Sequence, residues 1–453
     1  MEILLDLPDD CNPNLIAQFQ QLARVVSKMT AKGPRMGDFA RVEESISDAC
    51  AKLEAECIGQ LLSSLDVEVP YVEFDGERYK NLGPAPKTFH TMAGDVTIER
   101  CLFRSTAQRN GPTLDPIALR AGVIGDCWLP SVAKAMAKHI ATVTSREAAS
   151  LTSSTRRLPY SRSSFERVGH LVGAEYCRRS EEIADVLAEK FVVPAAATSV
   201  SVSLDRVAVP MEEIAVDGEH IARNYRMAHC GTLTFHDADG DALHVVRYGR
   251  MPAGDIDNMD ELMQTDLRSA LADRPKLRVV ALADGASEMW NRLDLIVEDL
   301  EQDTTRLVDF WHVCEYLAAA AAVIDGDQSS NRLSRWKHLL LNAESAIRLV
   351  LGELDEYTDI EPVAEAVRYV ENHGDRLNYA RARTQGLPIG SGNIEATCKS
   401  LVSQRFKRSG ARWKIETGEH VLQLRALQLS DRWEDAMDET LKPLRRRVVA
   451  RAS

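Results

Sequence analysis

The sequence predicts a mixed α+β protein (fold class α/β) built from several domains. Apolar residues recur at helical spacing from residue 1 to about residue 70, and again over 313–386. Between these regions, the Val-rich run TSVSVSLDRVAVP at 198–210 alternates as a β-strand does. A chain of 453 residues has room for roughly two to four domains. We therefore expect helical regions on both sides of a β-containing domain.

The composition argues against several classes of protein. No run of about 18 apolar residues occurs, so we expect no membrane span. The N-terminal sequence MEILLDLPDD is acidic where a signal peptide would be basic, which favours a cytoplasmic protein. The nine Cys residues are scattered without a C-x-x-C pair. This pattern argues against a zinc ribbon and a disulfide framework, and it fits reduced thiols.

The net charge of −13 taken alone argues against nucleic-acid binding, because affinity for DNA comes largely from Lys and Arg. The charge is segregated, however. Residues 396–453 hold 13 Lys and Arg against 7 Asp and Glu, a local excess of positive charge. A polyanion is therefore still an expected ligand of this part of the chain.

Residues 1–70 and 71–112 are expected to form two different N-terminal regions. The first is predicted to be a pair of helices that pack together or mediate self-association. The second holds two β-like runs around the sequence AGD at 93–95, which predicts a β-hairpin. His90 lies in this region, where a lone strand His is more often structural than a ligand.

Residues 113–195 are predicted to be helical, with a candidate helix-turn-helix DNA-binding domain. The segment TRRLPY separates two helices, and the second begins with SRSS. In a helix-turn-helix domain, the start of the second helix contacts base edges and phosphates. A plain helical bundle is about equally consistent with this pattern. Clustered arginines favour DNA binding slightly, and the candidate contacts are Arg156, Arg157 and Arg162.

Residues 196–312 and 387–430 are expected to form one domain. Its first strand carries Asp205, two strands joined at Asp239-Gly240 follow, and the buried strand LRVVALADGA leads into Asp284. A helix and the strand TRLVDFWHV come next. Three antiparallel strands followed by α/β crossovers is the order of a ribonuclease-H-like sheet. The fold prediction is therefore a ribonuclease-H-like domain preceded by the helical N-terminal regions.

Two further segments complete the predicted organisation. Residues 313–386 are expected to be an all-helical insertion between a sheet strand and the next functional element. Residues 431–453 form a basic C-terminal tail, LKPLRRRVVARAS at its end, which is a candidate for disorder.

Three acids stand out by position. Asp205 lies in the first strand, Asp284 follows a buried strand, and Glu395 begins a helix after a loop rich in Gly. Converging carboxylates repel one another and need cations, and oxygen ligands suit Mg²⁺ or Mn²⁺. Two such ions can activate a water or a 3′-hydroxyl and stabilise the leaving oxygen of a phosphodiester.

Each acid also has an ordinary structural interpretation. Asp205 could be an exposed strand residue, and Asp217 competes with it as the first acid. Asp284 could cap the next helix, and Glu395 could simply favour a helix N-terminus. Position alone leaves these alternatives open.

Four segments together carry a resemblance to a known family. GLPIGSGNIEATCKSLVSQRFKRSGARW resembles the sequence around the third acid of bacterial insertion-sequence DDE transposases related to the Mutator-like transposases. LADGA resembles the strand carrying the second acid, and VSLDRVAVP is the best match for the first. LVDFWHVCEYL resembles the D-x-x-H element of these enzymes, here Asp309 and His312. The resemblance covers roughly residues 198–428, and the chain lacks the Cys-based zinc element that relatives often carry.

The resemblance implies a DNA transposase of a mobile element. Asp205, Asp284 and Glu395 would bind two Mg²⁺ (or Mn²⁺) ions, and His312 would lie near the scissile phosphate. DNA would be cut at the terminal inverted repeats by water, and the 3′-hydroxyl ends would then attack target DNA. The implied partners are double-stranded DNA and further copies of the chain, with a dimer favoured. The implied location is the bacterial cytoplasm, at the nucleoid.

The resemblance also implies a DNA-binding surface next to the third acid. Basic side chains would neutralise phosphates, and a Trp could stack on a flipped or terminal base. A solvated helix face and a core Trp are the structural alternatives. The candidates are Lys399, Arg405, Lys407, Arg408, Arg412 and Trp413.

Two other functions compete with transposition. A transposase-derived DNA-binding protein without catalysis is disfavoured because all three acids are present. A ribonuclease-H-like structure-specific nuclease, which cuts but does not join, is equally compatible with the acids.

Overall fold

The computed structural model describes residues 12–32, 39–108, 110–155, 157–214 and 221–451. It divides the chain into two compact units, Met1–Arg178 with Met437–Ser453 and Arg179–Ala436. Two candidate residues, Arg156 and Asp217, lie outside the described residues.

The first unit combines helices with a five-stranded sheet. Its helices are α1 (Pro13–Lys32), α2 (Phe39–Ser63), α3 (Pro116–Ala121), α4 (Pro130–Thr142), α5 (Ser145–Thr155) and α6 (Arg162–Arg178). Its strands are β1 (Tyr71–Phe74), β2 (Glu77–Thr91), β3 (Gly94–Ser105), β4 (Thr113–Leu114) and β10 (Val449–Arg451), in the order β10-β1-β2-β3-β4. β2 and β3 pair antiparallel up to Thr91 and Gly94, so a β-hairpin lies in this region.

The described part of the basic tail ends in a strand, β10, in contrast to the expectation of disorder. β10 pairs antiparallel with β1, with Tyr71 opposite Arg451. The tail's charges find acidic partners on the first unit, since Arg451 contacts Glu73 at 2.6 Å and Arg446 contacts Asp75 at 2.6 Å. Arg446 and Arg451 therefore have acidic partners, unlike the side chains of a fully solvated basic segment.

The second unit is built on a mixed five-stranded sheet. Its strands are β5 (Ser199–Ile214), β6 (Ile221–His236), β7 (Ala242–Arg250), β8 (Arg278–Ala283) and β9 (Thr304–Val308), in the order β7-β6-β5-β8-β9. β5, β6 and β7 pair antiparallel, whereas β8 pairs parallel with β5 and β9 parallel with β8. The predicted order of three antiparallel strands followed by two crossovers is therefore present.

Helices cover this sheet and fill the chain between its strands. They are α7 (Ser180–Lys190), α8 (Ile256–Asp273), α9 (Ser287–Val297), α10 (Phe310–Asp325), α11 (Ser329–Asn342), α12 (Ala346–Leu354), α13 (Glu361–Asn372), α14 (Tyr379–Thr384), α15 (Gly392–Thr397), α16 (Gln404–Phe406), α17 (Ile415–Leu429) and α18 (Trp433–Leu441). The unit boundary falls within α18. None of the helices in the described ranges has the length and apolar character needed to cross a membrane.

The core of the second unit explains why β8 is so apolar. Five of its six residues are buried, as expected for a parallel strand covered on both faces. Trp290 of α9 and Trp336 of α11 belong to the same apolar core as Val280 of β8. This core holds β8 in place up to its last residue, Ala283.

Candidate functional site

The end of β8 sets the position of Asp284. The residue follows the last strand residue, Ala283, and its Oδ1 accepts a hydrogen bond from the backbone N–H of Ala286 at 3.0 Å. Gly285 has a φ of +104°, and a Cβ there would lie 2.8 Å from the hydroxyl oxygen of Tyr369. That hydroxyl donates to the carbonyl of Asp284 at 2.5 Å. Tyr369, a residue of the helical insertion, thus holds the turn after β8, and only glycine fits at position 285 beside the Tyr369 hydroxyl.

Asp205 lies within β5, because the strand continues to Ile214. β5 and β8 pair in parallel as far as Val202 and Ala281. Continuing this register by three residues sets Asp205 level with Asp284. Since neighbouring strands lie about 4.8 Å apart, this continuation predicts that the two acids are close together.

The third acid, Glu395, is on α15, and the helix that follows it contacts Asp205. The Cys398 thiol donates to Asp205 Oδ2 at 3.2 Å. Residues three apart lie on the same side of a helix, so this contact brings the Glu395 face towards Asp205. The backbone N–H of Arg206 donates to the other carboxylate oxygen at 2.6 Å. Glu395 is exposed, and its carboxylate makes no hydrogen bond or ion pair with any residue that the structure describes.

A buried thiol pair lies behind Asp205. Cys230 is the antiparallel partner of Asp205 on β6 and is fully buried. A hydrogen bond with the Cys230 thiol, together with burial and the charge of Asp205, raises the pKa of Cys398 far above its usual range. Cys398 therefore stays protonated and remains a donor to the carboxylate.

Asp309 connects the loop before Glu395 to the end of the sheet. Its carboxylate is fully buried and accepts hydrogen bonds from the backbone N–H groups of Trp311 at 2.6 Å and His312 at 3.0 Å. The other oxygen accepts from the backbone N–H of Ser391. The Asp309 N–H donates to Ala283 O at 2.8 Å. The element identified as D-x-x-H thus contains a helix cap that also holds the Gly-Ser-Gly loop.

The start of the same loop is fixed by Gly386. Its φ is +62°, and a Cβ at this position would lie 2.2 Å from the carbonyl oxygen of Ala238. Any side chain here would collide with backbone in the turn between β6 and β7. The loop that leads to Glu395 is therefore anchored at both ends.

A π-helical segment, Cys398–Ser403, separates α15 from α16. Such segments are rare and occur often at functional sites. The guanidinium of Arg425 in α17 donates two hydrogen bonds to the carbonyl oxygen of Ser400, from Nε at 2.9 Å and from Nη2 at 2.6 Å. Burial lowers the pKa of Arg425. No sequence pattern predicts the π segment or the roles of Arg425 and Tyr369, because their contacts join distant parts of the chain.

His312 lies at the same edge, in the first turn of α10. Its backbone is held by Asp309, and its ring Nδ1 lies 3.3 Å from Glu315 Oε2 on the same helix. The side chain is about one-third exposed, at 34%. Its role near a scissile phosphate stays a prediction.

The three predicted acids do not form a closed set of metal ligands. Within the described residues, no group of three or more His, Cys, Asp or Glu side chains is arranged to hold a metal ion. The donor chemistry of Asp205, Asp284 and Glu395 nevertheless fits Mg²⁺ or Mn²⁺, which prefer carboxylate oxygens.

The predicted basic surface divides into exposed and buried members. Lys399, Lys407 and Arg412 are exposed, and Arg408 is partly buried. Arg405 is buried, with its guanidinium carbon 4.9 Å from the ring centre of Trp413.

Trp413 is held by the protein itself. Its indole N–H donates to the carbonyl of Phe406 at 3.2 Å, and the two rings lie 4.5 Å apart. Its backbone pairs with β5, since its N–H donates to Pro210 O at 3.1 Å. These contacts favour the core-anchor alternative, and stacking of Trp413 on a base stays a prediction.

The candidate helix-turn-helix region consists of α5, α6 and the turn between them. Tyr160 in this turn donates to Thr91 O at 2.7 Å, which ties it to the β2–β3 hairpin. Arg157 forms an ion pair with Glu54, and Arg162 Nε donates to Ser145 Oγ at 3.2 Å.

Two of the three predicted arginine contacts are thus engaged within the protein, and the third, Arg156, is outside the described residues.

Comparison with known proteins adds little to this geometry. Neither a protein-family model nor a curated protein sequence matches the chain. Among solved structures, the chain is similar to a chain described as "Drosophila P element transposase strand transfer complex", with 12% sequence identity over 66% of this chain and 79% of that one. The TM-score of 0.27 is too low to establish a shared fold.

Proposed function

We propose that the chain is a DDE-type DNA transposase of an insertion sequence, with a ribonuclease-H-like catalytic domain. The observation that carries the proposal is that Asp205 lies on the strand next to the one that leads into Asp284 and contacts the segment that follows Glu395. β5, which carries Asp205, pairs in parallel with β8, which leads into Asp284, and Cys398 in the segment after the Glu395 helix contacts Asp205. The strand order β7-β6-β5-β8-β9 supports the fold assignment.

In this proposal Asp205, Asp284 and Glu395 would hold two Mg²⁺ or Mn²⁺ ions. The ions would activate water or a 3′-hydroxyl and stabilise the leaving oxygen. The chain's own contribution is orientation: Cys398 directs one oxygen of Asp205, and Asp309 holds the loop before Glu395. Among the described residues nothing forms a hydrogen bond or ion pair with the exposed Glu395 carboxylate, which leaves it available as a ligand.

The proposed partner is double-stranded DNA, both at transposon ends and at the target. Lys399, Lys407 and Arg412 are exposed on the stretch after Glu395, and no acid pairs with them in the described ranges. Such side chains can neutralise phosphates next to the acids. A homodimer that holds two ends together is part of the same proposal.

Cleavage of a plasmid that carries the element's terminal repeats tests the proposal. With Mg²⁺, the wild-type chain should cut at the repeat ends, and Glu395→Gln should lower the rate by about 100-fold or more, the scale expected when one stabilising group is lost. Glu416→Gln, at an exposed acid in the first turn of α17, is the matched control and should cut normally. Normal cleavage by Glu395→Gln would remove Glu395 from the site.

A joining assay separates this proposal from its rivals. Precut ends with free 3′-hydroxyls should be joined to a target plasmid by the wild-type chain. Cutting without joining would indicate a nuclease, and binding without either reaction would indicate a DNA-binding protein. Independently of activity, Mg²⁺ should raise the melting temperature of the wild type more than that of Glu395→Gln, because a ligand stabilises the state that binds it.

A further inference from the structure

One large aromatic side chain at the acid edge is left open to solvent. Trp311, the second residue of α10, is 57% exposed. The other tryptophans of the second unit behave differently: Trp290, Trp336 and Trp433 are buried, and Trp413 is partly buried. Single exposed apolar side chains are common, so the exposure of this ring matters only together with its fixed position and the cation beside it.

The ring is held in place although it is exposed. The backbone N–H of Trp311 donates to Asp309 Oδ1. The indole ring packs edge-to-face on the ring of Phe310, with 5.3 Å between the ring centres. Gly390 lies against one edge, where a Cβ would be 3.2 Å from the indole Cδ1 and Nε1. The backbone and two neighbours therefore fix the ring, and a larger residue at 390 would crowd it.

A cation accompanies the ring. Lys337 of α11 places its Nζ 5.3 Å from the centre of the indole. Lys337 forms no ion pair with any acid in the described part of the chain. Its charge is thus available to an anionic ligand bound beside the ring, in addition to its cation–π contact.

The location connects the ring to the acids. Asp309, which caps the Trp311 backbone, also bonds Ala283, the residue before Asp284. The same carboxylate holds Ser391, four residues before Glu395. The ring therefore lies at the junction of the two segments that carry the second and third acids.

We propose that Trp311 is the stacking platform for an unpaired nucleobase of a DNA strand at the acid edge, with Lys337 contacting the adjoining phosphate. The inference rests on the proposed function in that the ligand is DNA. An aromatic face binds any base by stacking, and a nearby cation neutralises the backbone. The site would select a strand whose terminal or flanking base is free of its partner.

Fluorescence of a base analogue tests this proposal in the full-length chain without divalent ions. The probe is a short single-stranded DNA that contains 2-aminopurine, and the comparison is the same sequence as a fully paired duplex. Stacking should quench the single-strand emission on binding. Trp311→Ala should abolish the quenching and weaken single-strand binding by about 5- to 150-fold, the range for loss of one base–aromatic stack. Duplex affinity should be unchanged.

Three variants make the result specific. Trp311→Phe should keep part of the quenching, because a smaller aromatic face remains. Lys337→Met should keep the quenching. It should also lower the salt dependence of binding by the amount that corresponds to the loss of about one phosphate contact. Val323→Ala, at an exposed position on the same helix, should match the wild type.

The outcomes separate the inference from the proposed function. Unaltered quenching by folded Trp311→Ala would overturn the inference and leave the assignment of the acids untouched. Duplex binding by the wild type without quenching of the single-strand emission would also overturn the inference and leave the assignment of the acids untouched. Failure of the wild type to bind either DNA would overturn both the stacking site and the transposase proposal.

Discussion

Replacing Asp309 with Asn isolates one link between the sheet and the Gly-Ser-Gly loop. An Asn oxygen can still accept from the N–H groups of Trp311 and His312, as Asp309 Oδ1 does. The amide nitrogen would then face the N–H of Ser391, which now donates to Asp309 Oδ2. Two donors would meet where a donor and an acceptor meet in the wild type. The loop should therefore detach while the helix cap remains.

The cost follows from the burial of this carboxylate, which has no exposed surface. A hydrogen bond to a charged group contributes roughly 1.5–3 kcal/mol, and the neutral amide partly offsets its loss because it is cheaper to bury. We expect Asp309→Asn to lower the free energy of unfolding by about 2 kcal/mol. In a unit of this size, that corresponds to a fall in melting temperature of roughly 4–8 °C. Asp309→Ala, which removes all three hydrogen bonds, should cost about 4 kcal/mol.

Urea unfolding and amide hydrogen exchange measure the two parts of this prediction. Exchange should accelerate at Ser391 and in α15 of Asp309→Asn, and less so in β8. Asp303→Asn is the control, since Asp303 is exposed and precedes β9 directly. Asp309→Asn with wild-type stability and unchanged exchange at Ser391 would refute the proposed link.

Three other perturbations have expected outcomes. Burial raises the pKa of Asp260 to about 6, so the folded chain binds more protons than the unfolded chain between about pH 4 and 6. Unfolding free energy should fall across that window by at most about 3 kcal/mol, and Asp260→Asn should flatten the profile measured by urea titration. Gly386→Ala should lower stability by about 2 kcal/mol or more, through its positive φ and the collision with Ala238 O, as measured by thermal unfolding. Arg425→Met should leave Ser400 O without its donors and cost about 2 kcal/mol, with faster exchange across the π segment; wild-type exchange there would contradict this.

The sheet of the second unit could be predicted because its signals are local. Alternation of Val in β5 and the apolar run of β8 each reflect how one strand is buried. The hairpin of β2 and β3 likewise follows from a short turn sequence. Patterns of this kind need no knowledge of which distant residues meet.

The details of the candidate site depend on contacts that no local pattern encodes. Asp309 holds Ser391 across 82 residues, and Tyr369 reaches Asp284 across 85. The basic stretch before Trp413 leaves both base stacking and a core position open for it, and the donation of its indole N–H to Phe406 O could not be read from that stretch. The tail was a candidate for disorder because its acidic partners, such as Glu73, lie more than 370 residues earlier.

The π-helical segment after Glu395 changes how the following side chains are oriented. Each residue of an α-helix turns the chain by about 100°, and an extra residue accommodated in a π turn shifts all later positions by about that angle. A helical wheel drawn from Glu395 therefore misassigns the directions of Arg405 and Lys407. Removing one residue from Cys398–Ser403 would leave the charge of this stretch almost unchanged, yet it would rotate the later basic side chains relative to the third acid. The phase of this helix, and not only its composition, thus determines which cations share a surface with Glu395.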